Sequence, residues 1–213
     1  MFSRLKKLIG GGGNATGRAA YDYRKSIYTA ELGEADALFS DDGVDNIEIL
    51  AFARDFSPVE VEDDGYVLLT SGMSDRCMKL PPDAEEEDKR RAELMWYVRE
   101  PTADIIGNLR WLARYPFIDD MWLGFGHRMP MPEPIVFGCD FKTFLFLTPI
   151  ITPDKRIAEA LSIDKDEVEI LTVNLISDAE YRFIQTNGLN PFLDLLDEND
   201  HPPILDLERK SYV

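Results

Sequence analysis

The sequence predicts an α+β fold, a mixed β-sheet with helices packed on it, in a single domain. Three observations carry this expectation. Alternating or continuous apolar runs over 46–52, 66–70, 92–98, 142–148 and 168–176 read as strands. Helically spaced apolar residues after Thr102, and a capping signal at Ser177, read as helices. Strands and helices then follow one another without a regular βαβα alternation, which places the chain in the α+β class.

Taken in order, the first 25 residues stand apart by charge. Six basic residues (Arg4, Lys6, Lys7, Arg18, Arg24, Lys25) against Asp22 give +5, so the remainder carries −22. Residues 1–25 are read as a basic, glycine-rich flexible arm and 26–213 as the domain. Phe2, Leu5, Leu8 and Ile9 keep helical spacing ahead of a glycine hinge over 10–17. Residues 28–32 are expected to be extended. In 46–52 the alternation puts Ile47, Ile49 and Ala51 on one face and Glu48, Leu50 and Phe52 on the other. Glu62-Asp63-Asp64-Gly65 predicts a turn, and 66–70 a buried strand. The run 85–91 reads as a solvated charge cluster leading into a strand over 92–98.

Thr102 can cap a helix reaching about Arg114, with Ile105, Ile106, Leu109, Leu112 and Ala113 as its apolar stripe. Strands follow over 142–148 and 168–176. Ser177-Asp178-Ala179-Glu180 has the capping-box pattern, and that helix is expected to stop at Asn187-Gly188, where glycine tolerates a left-handed ending. A short helix over 191–196 closes the series.

The 213 residues are 45% hydrophobic and 11% aromatic, enough to build a core and too apolar for a chain that stays disordered. A net charge of −17 repels nucleic-acid phosphates and anionic lipid and favours basic protein partners, so nucleic acid and membrane are not expected as ligands. No apolar run approaches the roughly 18 residues needed to span a bilayer. The glycines stand where a signal peptide needs its apolar stretch, and the expected location is the cytoplasm. Cys77 and Cys139 form no CxxC pair and read as reduced, mostly buried thiols.

Motifs for catalysis or cofactors fall short. With only His127 and His201, and no carboxylate at helical ligand spacing from either, the chain lacks the donors of a zinc site. The stretch from Glu60 starts like an EF-hand loop, but its twelfth position is Ser71 where a bidentate Glu belongs. Residues 12–19 approach the P-loop pattern with Arg18 for the lysine and Ala19 for the hydroxyl. No metal or cofactor is expected. Gly72-Met73-Ser74-Asp75-Arg76 has most of a nucleophile elbow, which leaves open a hydrolase using Ser74 or Cys77 with His127.

Trp111, Tyr115, Phe117, Trp122 and Phe125 crowd one region around Asp119 and Asp120, broken by Pro116, Gly124 and Gly126. The breaks suggest a loop after the helix. Aromatics beside carboxylates on a loop suit recognition of a basic or polar protein segment. Tyr115, Asp119, Asp120, Trp122 and His127 are therefore the candidate partner-binding residues.

The stretches Tyr66–Asp75, with Thr70-Ser71-Gly72-Met73-Ser74 at its core, Arg91-Ala92-Glu93-Leu94, Leu112-Ala113-Arg114-Tyr115-Pro116-Phe117, Trp122-Leu123-Gly124-Phe125-Gly126-His127 and Val173-Asn174-Leu175-Ile176 with Glu180 resemble the suppressor-of-fused-like family. The similarity runs collinearly from about Asn46 to Leu196. It implies an α+β fold and a non-catalytic, partner-binding role. Animal members sequester a transcription factor by clamping a peptide between two domains, and this chain resembles the first domain. Bacterial single-domain relatives are associated with immunity proteins that neutralise toxins, and an anionic surface suits a basic toxin. A regulatory scaffold that binds a peptide by strand addition is the third open reading.

Overall fold

The computed structural model describes residues 13–40, 46–56, 64–85 and 87–213, with side chains from 18 onward. The helix over 2–9, Gly10–Gly12 of the hinge, and most of the acidic turn at 60–65 lie outside the described residues.

The chain begins with α1 (Gly13–Leu32), followed by β1 (Ala37–Phe39), β2 (Glu48–Asp55) and β3 (Asp64–Ser71). A 3-10 turn at Met73–Asp75 leads towards β4 (Arg91–Val98) and α2 (Ala103–Ile118). Then come β5 (Arg128–Pro130), β6 (Thr143–Leu147), α3 (Thr152–Ala160), β7 (Ser162–Ile163), β8 (Asp166–Ile176), α4 (Asp178–Asn187) and α5 (Asn190–Glu198). The strands form an eight-stranded sheet in the order β1-β2-β3-β4-β8-β6-β5, with β7 pairing β8 off that path. All its pairs are antiparallel except β4 with β8 at the centre, where Ala92 lies opposite Glu169. A parallel pair needs a long crossover, and residues 99–165 supply it.

Alternation along the strands separates two cores. Ile49 and Ala51 of β2, with Ile47 just before it, join Leu94, Trp96 and Val98 of β4 beneath the α2 stripe of Ile105, Leu109 and Leu112. Leu50, Phe52, Met95 and Tyr97 face the other way, against Tyr28 of α1 and Ile157 of α3. The expected faces of 46–52 are the observed ones, and both are buried because helices cover both sides of the sheet. Each fully buried Leu, Ile or Phe contributes about 1.5–3 kcal/mol of hydrophobic stabilisation. A third cluster, Leu145, Ile176, Ile184 and Phe192, seats α4 and α5 on β6 and the end of β8.

Several local expectations need correction. Residues 28–32, expected extended, complete α1: Tyr28 is wholly buried there and its hydroxyl donates to the Thr70 carbonyl (3.1 Å), so tertiary packing overrides strand propensity. The charge change at residue 25 falls inside α1, and Arg24, within the expected arm, is only 1% exposed. The glycine-rich stretch from Gly13 is likewise helical. Arg91, at the end of the solvated run, is buried and donates to the Ser74 carbonyl (2.8 Å) and Asp166 (3.1 Å). Cys139 is buried but Cys77 is exposed, and both thiols are free.

Candidate partner-binding site

Helix α2 begins where expected, with the Thr102 hydroxyl accepting the Ile105 amide (3.4 Å), and buries the predicted stripe. It does not stop at Arg114. Pro116 sits inside the last turn, where its missing N–H removes only one bond, and the helix continues to Ile118. Tyr115 and Phe117, read as loop residues, are thus helical. The Asp119 amide bonds to the Tyr115 carbonyl, and Asp120 turns the chain with φ 54°, a left-handed conformation that aspartate tolerates.

Beyond this turn the loop is fixed from beneath. The Trp122 indole N–H donates to the Lys89 carbonyl (3.0 Å), and its ring meets His127 edge-on at 4.7 Å. Gly124 is obligatory, because a Cβ there would lie 2.4 Å from the Trp122 ring. Gly126 adopts φ +77° while its amide bonds to the Phe146 carbonyl (2.7 Å), and the Phe146 amide returns a bond to the His127 carbonyl (3.0 Å). Burial lowers the His127 pKa, more than its bond to the Trp122 backbone raises it, so the ring is neutral at neutral pH. The Glu169 carboxyl of β8 accepts the Phe125 amide. Burial first, and the nearby Asp88 second, push its pKa up to about 7 against the opposing pull of Lys89.

The five predicted residues therefore divide. Asp119 and Asp120 are exposed on the turn, and Asp120 pairs with the equally exposed Lys79. Tyr115 is half-buried against Trp111, with ring centroids 5.4 Å apart. Trp122 and His127 hold the loop. Between them stand exposed apolar side chains: Ile118 (66%) and Met121 (48%), which sequence reasoning missed, and Phe125 (46%), which it placed in the aromatic cluster but not among the candidate binding residues. The visible signal was an apolar residue on each side of Asp119-Asp120, where a purely solvated turn would carry polar neighbours.

The stretch Thr70–Asp75 builds a buried polar knot on Glu93 of β4. One Glu93 oxygen accepts the Gly72 amide (2.9 Å), the Ser74 amide (3.0 Å) and the Ser74 hydroxyl (2.6 Å), and the other accepts the Thr70 hydroxyl (2.6 Å). Arg24 of α1 crosses the knot, donating to Ser71 (2.9 Å) and Ser74 (3.3 Å) and pairing with Asp75. Gly72 has φ +126°, and a Cβ there would meet the Asn46 carbonyl at 2.8 Å. The Ser74 hydroxyl is wholly buried, and its partners among the described residues are Glu93 and Arg24, so it is not brought to His127. Cys77 has the Asp166 carboxylate as its neighbour, at 3.8 Å.

A second clamp closes the end of the chain. Glu180, the capping-box residue, accepts the Ser177 amide (2.7 Å), the Tyr212 amide (3.1 Å) and two bonds from Arg209 (2.7 and 3.0 Å). Arg209 also lies over the rings of Phe141 and Tyr212. Among the described residues no group of three His, Cys, Asp or Glu side chains is placed to hold a metal, and no helix is long and apolar enough to cross a membrane.

These features define an α+β domain whose polar stretch Thr70–Asp75 is committed to internal bonds and whose turn after α2 exposes both apolar and acidic side chains. Over residues 43–210 the sequence matches the family model for suppressor of fused protein (SUFU), and the chain belongs to that family. Among solved structures it is similar to a suppressor of fused homologue from Neisseria gonorrhoeae, with TM-score 0.69, 18% identity, and coverage of 92% of this chain and 98% of that one. It is similar also to a chain of the Sufu–Fu complex (TM-score 0.66, 14% identity, 92% of each chain). Drosophila Suppressor of Fused gives TM-score 0.64 and 15% identity over 92% of this chain and 51% of its own length. No curated protein matches significantly.

Proposed function

We propose that this chain is a non-catalytic partner-binding protein of the cytoplasm, an immunity-type inhibitor that occludes a basic bacterial toxin through the turn at 115–127. The observation that carries the reading is the exposed set Ile118, Met121 and Phe125 beside Asp119 and Asp120. An apolar centre excludes water from a contact while flanking carboxylates select a basic partner. The net charge of −17 draws such a partner in and raises the association rate. That one relative was crystallised as the Sufu–Fu complex supports a protein as the ligand. The burial of Ser74 in bonds to Glu93 supports a role without turnover.

The test takes a toxin encoded beside the gene and measures its association with the full chain at rising salt. The expected result is a falling on-rate, with Asp119→Asn/Asp120→Asn slowing association roughly threefold or more. Salt-insensitive binding that ignores both substitutions would discard this surface. Turnover abolished by Cys77→Ala or Ser74→Ala would discard the non-catalytic reading.

A further inference from the structure

The two faces of the sheet are covered differently. On the side opposite α2, one pair of helices, α1 with α3, covers one core, and a second pair, α4 with α5, covers another. On this side a groove of about 420 Å³ is left open over β8, between α5 and the segment that leads into α3, within the size range of ligand sites. Its floor includes Thr172 and Asn174, and its walls include Ile150, Leu193 and Leu196. Ile150 stands 68% exposed on the lip.

The charge of this groove has one sign. Burial first, and the nearby Arg209 second, push the His201 pKa down to about 4, so that ring is neutral at neutral pH. Tyr97 is held neutral by burial and by Asp154. The remaining ionisable lining groups are Asp197 and Asp200, both exposed at the rim, and among the described residues no lysine or arginine lines the groove. Asp194 and Glu198 add to the same acidic helix. An apolar trough with an acidic rim complements a side chain that is aliphatic along its stem and cationic at its tip.

We propose that this groove is a second docking surface, taking an Arg- or Lys-bearing aliphatic segment of a protein partner. It lies across the sheet from the 115–127 turn, so it stands or falls independently of that turn's role.

The test titrates two tripeptides, acetyl-Leu-Arg-Leu-amide and acetyl-Leu-Glu-Leu-amide, into the full chain and follows methyl resonances by NMR. The Arg peptide is expected to shift Ile150, Leu193 and Leu196, and the Glu peptide to leave them in place. Asp197→Asn/Asp200→Asn should weaken binding at least fivefold, and Ile150→Ser should weaken it with the charges intact. These variants keep the fold, because all three side chains are exposed and asparagine accepts the left-handed backbone of Asp200 (φ 47°). Equal binding of both peptides, or shifts confined to Ile118 and Met121, would overturn the proposal. So would a dimer in sedimentation that Ile150→Ser abolishes, which assigns the groove to a second copy. Tighter peptide binding after neutralising Arg4, Lys6 and Lys7 would assign it to this chain's own N-terminal segment and overturn it equally.

Discussion

Glu169 and Glu180 bracket the same central strand, one near the start of β8 and the other in the first turn of the helix that follows it. Glu180 is fully buried and Glu169 half-buried, and burial alone would raise the pKa of each. At Glu180, bonds from Arg209 and from the Ser177 and Tyr212 amides outweigh burial, and the pKa falls below the ordinary carboxylate range. Glu169 receives one amide and the pull of Lys89, while Asp88 pushes the other way, and its pKa rises to about 7. The lesson is that partners, rather than depth, decide the charge of a buried acid. The saturated carboxylate locks the fold. The under-partnered one lies beneath the exposed turn, where perturbed acids gather at functional sites.

The largest expected effect tests the saturated end. Arg209→Met leaves Glu180 buried without its cation and should destabilise the protein by about 3–5 kcal/mol in urea unfolding. The double variant with Glu180→Leu should recover part of that loss, since the stranded charge is gone. If the single and double variants unfold alike, Glu180 is not held by Arg209 in the manner described.

The next effect comes from Glu169, and it has the opposite sign along the pH axis. Because its folded pKa lies above the unfolded value, the native state holds an extra proton between about pH 4.5 and 7. Stability from this group is therefore full below the unfolded pKa and lost as pH rises through 7. Glu169→Gln should flatten that slope and stabilise the protein at pH 8 by about 1–2 kcal/mol, while the amide oxygen still accepts the Phe125 N–H. An unchanged slope would show that Glu169 is ionised throughout. Glu180 behaves in reverse: its depressed pKa contributes stability above the unfolded value, lost as pH falls through the folded one. The smallest effect belongs to Lys79→Ala. Both members of the Lys79–Asp120 pair are in solvent, and thermal unfolding should register less than roughly 0.5 kcal/mol.

How much of this was readable in the residues depended on whether a signal was local. Thr102 and the Ser177–Glu180 box marked two helix starts correctly, because a cap is written within four residues. The strand over 46–52 revealed both of its faces by alternation alone. Tyr28 carried no such local information: its position is set by Thr70, distant in sequence, and its β propensity pointed the wrong way. Pro116 misled in the same fashion, since a proline near a helix end weakens the pattern without ending the helix. The acidic turn was visible in composition, but the exposure of Ile118 and Met121 was not, because an apolar residue shows its surroundings only after packing. Glu93 was likewise opaque, standing in an apolar strand with partners on α1 and in the turn after β3.

The parallel pairing of β4 with β8 has a further consequence for the order of assembly. The turn at 115–127 is pinned at Trp122 by Lys89, just before β4, and at Phe125 by Glu169, opposite Ala92 in that pairing. Those two anchors come together only when strands separated by the whole crossover have met, a contact of high sequence separation and correspondingly slow formation. Under the function proposed above, a partner that docks on this turn would therefore meet its surface only after the two strands have paired, which would make recognition a check on completed folding.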